Sequence, residues 1–255
     1  MSTARKSIDH TLSASDAFLS AAFGYPCRYA TLPLDAQTLR TELEAMPAPG
    51  FMWIKVPGRA DPAFGALHDL GFVVAVEEIS YVRPADLPAP AIAEADGFSI
   101  RKISRSEADQ FVGLADAVGA LAAGSLTTSR FHLDPEISND IAARVKQRWA
   151  MNFFKGLRGH EMIIATAADG RIAGFNQVLA GAEDKVIDLI CTADDFRRRG
   201  VARALVAAMV EPGKTLRVGS QANNDAADAF YKSLGFRPVG TSLCLHWHAG
   251  KENTP

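Results

Sequence analysis

The sequence predicts an α/β fold, α+β by some schemes, and three observations carry that reading. From about residue 97 onward, short β-branched or alternating apolar runs are interleaved with runs at helical spacing. Their order is strand, two helices, three strands, helix, strand, helix, two strands. Asp169-Gly170, set between two apolar runs, is a strong hairpin turn. A composition of 48% hydrophobic and 22% charged residues is that of an ordinary soluble protein with a core, which excludes disorder.

At 255 residues the chain can bury one large core or two small ones. A formal net charge of -2 and a pI near 6.3 argue against nucleic acid as a partner, so any basic site must be local. Cys27, Cys191 and Cys244 lack metal-binding spacing, and the last two sit in apolar strands, where buried reduced thiols are expected. A cytoplasmic location follows as the expectation. The opening stretch MSTARKSIDHTLSASD lacks the apolar run of a signal peptide, and no apolar stretch reaches membrane-spanning length, so no membrane partner is expected.

Residues 27–32 and 51–56 read as strands, and 35–46 reads as a helix with Leu39, Leu43 and Met46 on one face. The helix-like run ending in Leu70-Gly71-Phe72, followed by an alternating strand over 73–82, imitates the tail at 227–247, where Leu234-Gly235-Phe236 also precedes a strand. Residues 1–95 are therefore expected to form a smaller, degenerate copy of the second half, structural or substrate-shaping, with Leu67 in the place of Tyr231 and His68 exposed. The proline-rich 83–90 suits a linker to a second domain over 96–255. In that domain 98–103 is a strand and 104–118 a helix, its start marked by a capping box of Ser104 and Glu107. Residues 119–135 read as a loop, 136–154 as a helix, and 160–167, 171–179 and 186–192 as strands. The helix over 201–210 is stopped by Pro212-Gly213. A strand at 215–220, a helix from Asn224 and two closing strands, 236–240 and 242–248, complete the order.

The most informative stretch is the turn Arg197-Arg198-Arg199-Gly200-Val201-Ala202, between the apolar strand 186–192 and an apolar helix. A strand feeding such a turn leaves the first helix amides without partners, and with the positive end of the helix dipole they make an anion site. Gly200 and Ala202 keep bulk away, while Arg197, Arg198, Arg199 and Arg203 supply charge. No Gly-Lys-Ser/Thr follows, and there is one glycine where a dinucleotide turn has three.

The pattern Arg-x-x-Gly-x-Ala after a strand resembles the acyl-CoA signature of the GNAT superfamily of N-acetyltransferases. Asn224, Ala227, Tyr231 and Gly235-Phe236 resemble the same family's later motif. The resemblance implies a mixed, mostly antiparallel central sheet and acetyl-CoA as co-substrate, with no metal. It implies that Ile190, Cys191 and Thr192 offer main-chain groups to the pantetheine arm, that Asn224 caps a helix whose small face, with Ala227, lies along that arm, and that Tyr231 donates a proton near the thioester sulfur. A phenol is neutral at pH 7 and can donate without first being charged. Asp188, the only carboxylate in 186–192, either takes the amine proton, as acidic residues on this strand do in the family, or pairs with an arginine. His132 competes as the base.

The acceptor is expected under residues 126–158. There Arg130, Phe131, His132, Arg144 and Trp149 combine aromatic faces with cations, suiting a flat ring with phosphates, although an amphipathic helix with Trp149 in the core explains the pattern too. The order of these residues, with Leu216-Arg217-Val218, Gln221 and Asn224, looks like the dTDP-fucosamine N-acetyltransferases of enterobacterial common antigen synthesis. By that resemblance the partner is a small-molecule amine on a nucleotide-linked amino sugar, and the protein a monomer or homodimer. His246 and His248 alone do not point to a metal.

Overall fold

A computed structural model describes residues 13–92 and 97–250. The first twelve residues of the stretch read for a leader, and the expected boundary at 95/96, lie outside the described residues. Among the described residues no helix is long and apolar enough to cross a membrane.

The described chain opens with β1 (Ser13–Ser15) and α1 (Ala17–Phe23), which periodicity does not mark. Next come β2 (Cys27–Ala30), α2 (Ala36–Glu44), β3 (Gly50–Val56), α3 (Pro62–Asp69) and β4 (Val73–Arg83). The three helices are capped alike: Asp16, Asp35 and Asp61 accept from the amides of Leu19, Thr38 and Ala63 at 2.9, 3.1 and 2.9 Å. Then β5 (Phe98–Ser104) leads into a 3-10 segment over Arg105–Leu114, followed by α4 (Ala115–Ser125), α5 (Arg130–Leu133) and α6 (Asn139–Met151). The rest is β6 (Glu161–Ala167), β7 (Ile172–Ala180), β8 (Asp184–Thr192), α7 (Val201–Met209), β9 (Thr215–Gln221), α8 (Asp225–Ser233) and β10 (Arg237–Ala249).

Three expectations need correction. The helix over 104–118 is a 3-10 segment and then α4, broken where Phe111 leaves helical geometry at φ -115°, ψ 16°. The loop over 119–135 loses its start to α4: Gly119 sits where α4 crosses α6, and a Cβ there would meet Met151 Cγ at 2.9 Å. The two closing strands are one, because Gly240 does not take the positive φ that a tight hairpin turn uses.

Two compact units result, Glu77–Thr241 and the residues before and after it. In the flanking unit β1 pairs antiparallel with β2, β2 parallel with β3, and β3 antiparallel with the last seven residues of β10. Its core gathers Leu39, Leu43, Met52, Ile54, Leu67 and Phe72 with Leu243, Leu245 and Trp247. In the larger unit the strand order is β4-β9-β8-β7-β6-β5, with β8 and β9 parallel and the other pairs antiparallel. These units differ from the halves 1–95 and 96–255, because β4 gives residues 78–83 to a pairing with β9 and β10 closes the other sheet. The expected linker is anchored too: Arg83, 3% exposed, donates from Nε to the Leu234 carbonyl at 2.8 Å.

The large sheet is covered on both faces. Along β6, Ile163 and Ala165 face α7 and α8, whereas Met162 and Ile164 face α4 and α6. Both faces are apolar, as strand alternation requires of a two-sided core.

Helix ends repeat between the units. Gly71 at φ 85° and Gly235 at φ 86° terminate α3 and α8. The following phenylalanines, Phe72 and Phe236, donate to the carbonyls of Leu67 and Tyr231 at 3.0 and 3.1 Å. Leu67 thus stands in register with Tyr231, and His68 is exposed.

Candidate functional site

The larger unit contains a cavity of about 660 Å³, lined by β8, the end of β9, the turn before α7, α8, the second half of α6 and the segment 126–131. Two irregularities of β8 open it. Pairing with β9 runs only from Asp184↔Thr215 to Ile187↔Val218, so from Asp188 to Thr192 the two strands part and the main-chain groups of β8 face the cavity unpaired on that side. On the other side, register with β7 jumps from Gln177↔Leu189 to Val178↔Ile187, which makes Asp188 the extra residue of a β-bulge. The bulge inverts the facing: Ile187 joins the core under α7 and α8, while Leu189 and Cys191 join the opposite one.

At the end of β8 the chain turns through Arg198 at φ 59°, among the described residues the one non-glycine in the left-handed region, and Gly200 at φ 83°. Gly200 caps α7 without a side chain. The amides of Val201, Ala202 and Arg203 donate to no described protein group, and the first helical bond runs from Ala204 to the Gly200 carbonyl at 3.0 Å. Helix α7 is clamped from below: a Cβ on Gly174 would lie 2.7 Å from the Cys191 carbonyl oxygen and 2.9 Å from Val201 Cγ1. Gly174→Ala is accordingly expected to cost about 1–3 kcal/mol, read as a lowered melting temperature, and to weaken anion binding at the turn.

The arginines do not act alike. Arg197, Arg198 and Arg203 line the cavity with Gly200, Val201 and Ala202. Arg197 also pairs with Asp194 at 2.7 Å, Arg203 reaches Ser233 Oγ at 3.3 Å, and Arg198 has no ion pair among the described residues. Arg199 is a correction. It is not in the lining and stacks on the Phe196 ring, 5.1 Å from the centroid.

Ile190, Cys191, Thr192, Asn224, Ala227 and Tyr231 all line the cavity. Asn224 caps α8 as expected, its Oδ1 accepting from the Ala227 amide at 3.1 Å. Burial drives the Cys191 thiol far above its ordinary pKa, and Cys27, Cys191 and Cys244 are all buried. Tyr231 is 5% exposed, its ring 5.8 Å from that of Tyr81 and 5.5 Å from that of Phe236. Its hydroxyl has no hydrogen-bond partner among the described residues, and burial, with a smaller contribution from Tyr81, keeps the phenol protonated well beyond its usual range.

Asp188 is fully engaged. Its side chain is 4% exposed, and Oδ2 accepts from Trp149 Nε1 at 2.8 Å, Gln177 Nε2 at 2.9 Å and Arg158 Nε at 2.8 Å, while Arg158 Nη2 reaches Oδ1 at 2.5 Å. Of the two roles open to it in the sequence, pairing with an arginine is present in the geometry.

Of the residues expected on the acceptor side, Arg130, Phe131 and Trp149 line the cavity. His132 does not; its Nδ1 bonds Ser129 Oγ at 2.8 Å, and burial, then Lys146, lower its pKa. Arg144 is exposed and outside the lining, because on α6 the buried stripe runs through Ala142, Val145, Lys146 and Ala150. That stripe brings in Lys146, one of the cations of the run 144–149, and its spacing of four from both Ala142 and Ala150 is what marks it as facing inward. Glu78 of β4 also joins the lining.

Compared with known proteins, residues 158–238 match the model of the acetyltransferase (GNAT) domain. The chain is 30% identical over 145 residues to the spore coat polysaccharide biosynthesis protein SpsD of Bacillus subtilis (strain 168), covering 55% of this chain and 50% of that protein. It is 31% identical over 94 residues to the [ribosomal protein bS18]-alanine N-acetyltransferase of Salmonella typhimurium (strain LT2), covering 34% of this chain and 64% of that one. The chain thus spans 50% and 64% of the length of these two curated relatives. In fold it is similar to a tandem GNAT protein from the clavulanic acid biosynthesis pathway, with a TM-score of 0.60 and 14% identity over 90% of this chain and 77% of that one. The matched stretch 158–238 holds the bulge, the arginine turn and Tyr231, whereas Arg130, Lys146 and Trp149 precede it.

Proposed function

We propose that the chain is an acetyl-CoA-dependent N-acetyltransferase acting on a primary amine, that of a nucleotide-linked amino sugar. The observation that carries this reading is the set of unpartnered amides opening α7, beside Arg198 and the unpaired edge of β8, in a cavity that also reaches Tyr231 and Trp149. A diphosphate fits such a turn: a Cβ on Gly200 would meet nothing within 4 Å, so the main chain is open to close approach. Acetyl-CoA supplies an acyl group as a thioester, open to attack by an unprotonated amine. The chain's residues do the remainder. The edge of β8 from Ile190 to Thr192 aligns the pantetheine arm. Tyr231 donates a proton where the thiolate departs. Asp188, its oxygens already taken, orients Trp149 and Arg158 around the amine and acts as a positioning residue, so the amine loses its proton to solvent or to another group.

A sugar acceptor draws support from the ring and cation pairing of Phe131, Trp149 and Arg130, and from the relative named for spore coat polysaccharide biosynthesis. The test is thiol release from acetyl-CoA with a panel of nucleotide amino sugars, simple amines and peptides. Turnover on nucleotide amino sugars is expected. Turnover confined to peptides would move the acceptor to protein amino termini, as in the Salmonella relative's name, and CoA binding without any turnover would leave a binding module.

Residues 1–95 we read as a degenerate copy of the GNAT half. The series β2, α2, β3, α3, Gly71, β4 matches β8, α7, β9, α8, Gly235, β10, including a parallel strand pair in each. The copy's turn, Thr31-Leu32-Pro33-Leu34-Asp35, has neither glycine nor arginine, so it offers no second cradle. Buried thiols support a cytoplasmic setting.

A further inference from the structure

Among the described residues two lysines are buried, and their surroundings differ. Lys185, 1% exposed, lies 2.8 Å from Glu161 Oε1 and 2.9 Å from Glu211 Oε2, so its charge is neutralised within the fold. Lys146, 9% exposed, forms no hydrogen bond with a described residue. Its ammonium sits over the Trp149 ring at 4.9 Å and lines the cavity. The carboxylate of Asp188 is already used by Arg158, Trp149 and Gln177. A buried ammonium without hydrogen bonds costs stability, and its neighbours on the same helix face, Ala142, Val145 and Ala150, are apolar. An alkyl side chain would serve the packing better, so the charge belongs to what enters the cavity.

We propose that Lys146 is a specificity-determining residue at the acceptor end of the cleft, neutralising an anionic group, a phosphate or a carboxylate, that the acceptor carries near its amine. The inference rests on the acceptor end assigned above. It is distinct from the cradle at Gly200, which belongs to the coenzyme. The groups acting on Lys146 from the packed elements are Arg130 and His132 on α5, Asp188 on β8 and Glu78 on β4. Burial first, then Arg130, pushes its pKa down to about 8, against the opposing pull of Asp188 and Glu78. The cation, and with it anion affinity, is therefore present below that value and lost as pH rises through it.

The test is calorimetric titration of the full chain, saturated with CoA so that the cradle is filled, with inorganic pyrophosphate and separately with succinate. At least one probe is expected to bind the wild type, pyrophosphate indicating a phosphate group and succinate a carboxylate. Lys146→Met should weaken that probe by more than about tenfold with CoA affinity unchanged, which also shows that the variant is folded; Lys146→Gln takes its place if it is not. Lys146→Arg should retain binding and flatten its fall above pH 8. Equal probe affinity in Lys146→Met and wild type overturns the proposal, as does failure of both probes to bind the wild type. Because the readout needs no turnover, failure of every amine as acceptor would remove the enzymatic reading separately.

Discussion

Tyr231→Phe is expected to lower turnover by about 10²–10⁴-fold, the range associated with a single positioned acid, while CoA affinity and melting temperature stay near wild-type values. The separation of these effects follows from where the atoms lie. The ring packs between Tyr81, Phe230 and Phe236 in the core under α7 and α8, and phenylalanine keeps every one of those contacts. The hydroxyl has no partner among the described residues to lose, so removing it strands no buried group there. What disappears is a proton donor facing the cavity. The burial that raises the phenol's pKa also fixes the pH behaviour: Tyr231 stays protonated above its ordinary value, so it contributes no alkaline loss of rate below about pH 10. An acceptor amine that must lose a proton gives a limb rising with pH, and the variant should show that same limb at a lower plateau. Steady-state kinetics from pH 6 to 10 on both proteins is the check, and equal plateaus would take the acid role away from Tyr231.

Much of this arrangement could be read in the residues. The Asn224 cap, the glycines that end α3 and α8, the Asp169-Gly170 turn and the arginine turn are local features, each settled within a few residues of chain, and local features survive folding. What escaped depends on partners distant in sequence. The bulge that isolates Asp188 is an offset between β7 and β8, and β8 by itself still alternates between buried and half-exposed residues. Arg199 stacks on Phe196 instead of facing the cavity with its neighbours, because successive side chains in a turn with two left-handed residues diverge. The burial of Lys146 is of the same kind, since a lysine in a helix is ordinarily solvated and only its place on the apolar stripe argues otherwise. The division into units escaped for the same reason, since the far ends of β4 and β10 pair with strands from the opposite half of the sequence.

Gly200→Glu is expected to abolish measurable CoA binding, and Gly200→Ala supplies the comparison that makes the result interpretable. At φ 83° the position is left-handed, so any side chain there pays conformational strain of roughly 1–2 kcal/mol. Alanine carries that strain and nothing more, because its Cβ would find no atom within 4 Å. A modest fall in melting temperature and a loss of CoA affinity of about tenfold or less should result. Glutamate adds a carboxylate at the N-terminus of α7, where the amides of Val201, Ala202 and Arg203 are open. That carboxylate can take those amides for itself and pair with Arg198, and it repels an approaching diphosphate. Occupation and repulsion act together on the coenzyme, while each stabilises or leaves unchanged the folded protein, so the two variants should melt at similar temperatures. Calorimetric titration with CoA therefore distinguishes a cradle from a merely basic surface. If both variants bind CoA equally, the helix amides do not hold the diphosphate, and the nearby arginines alone would have to account for affinity; their joint removal would then be the decisive loss.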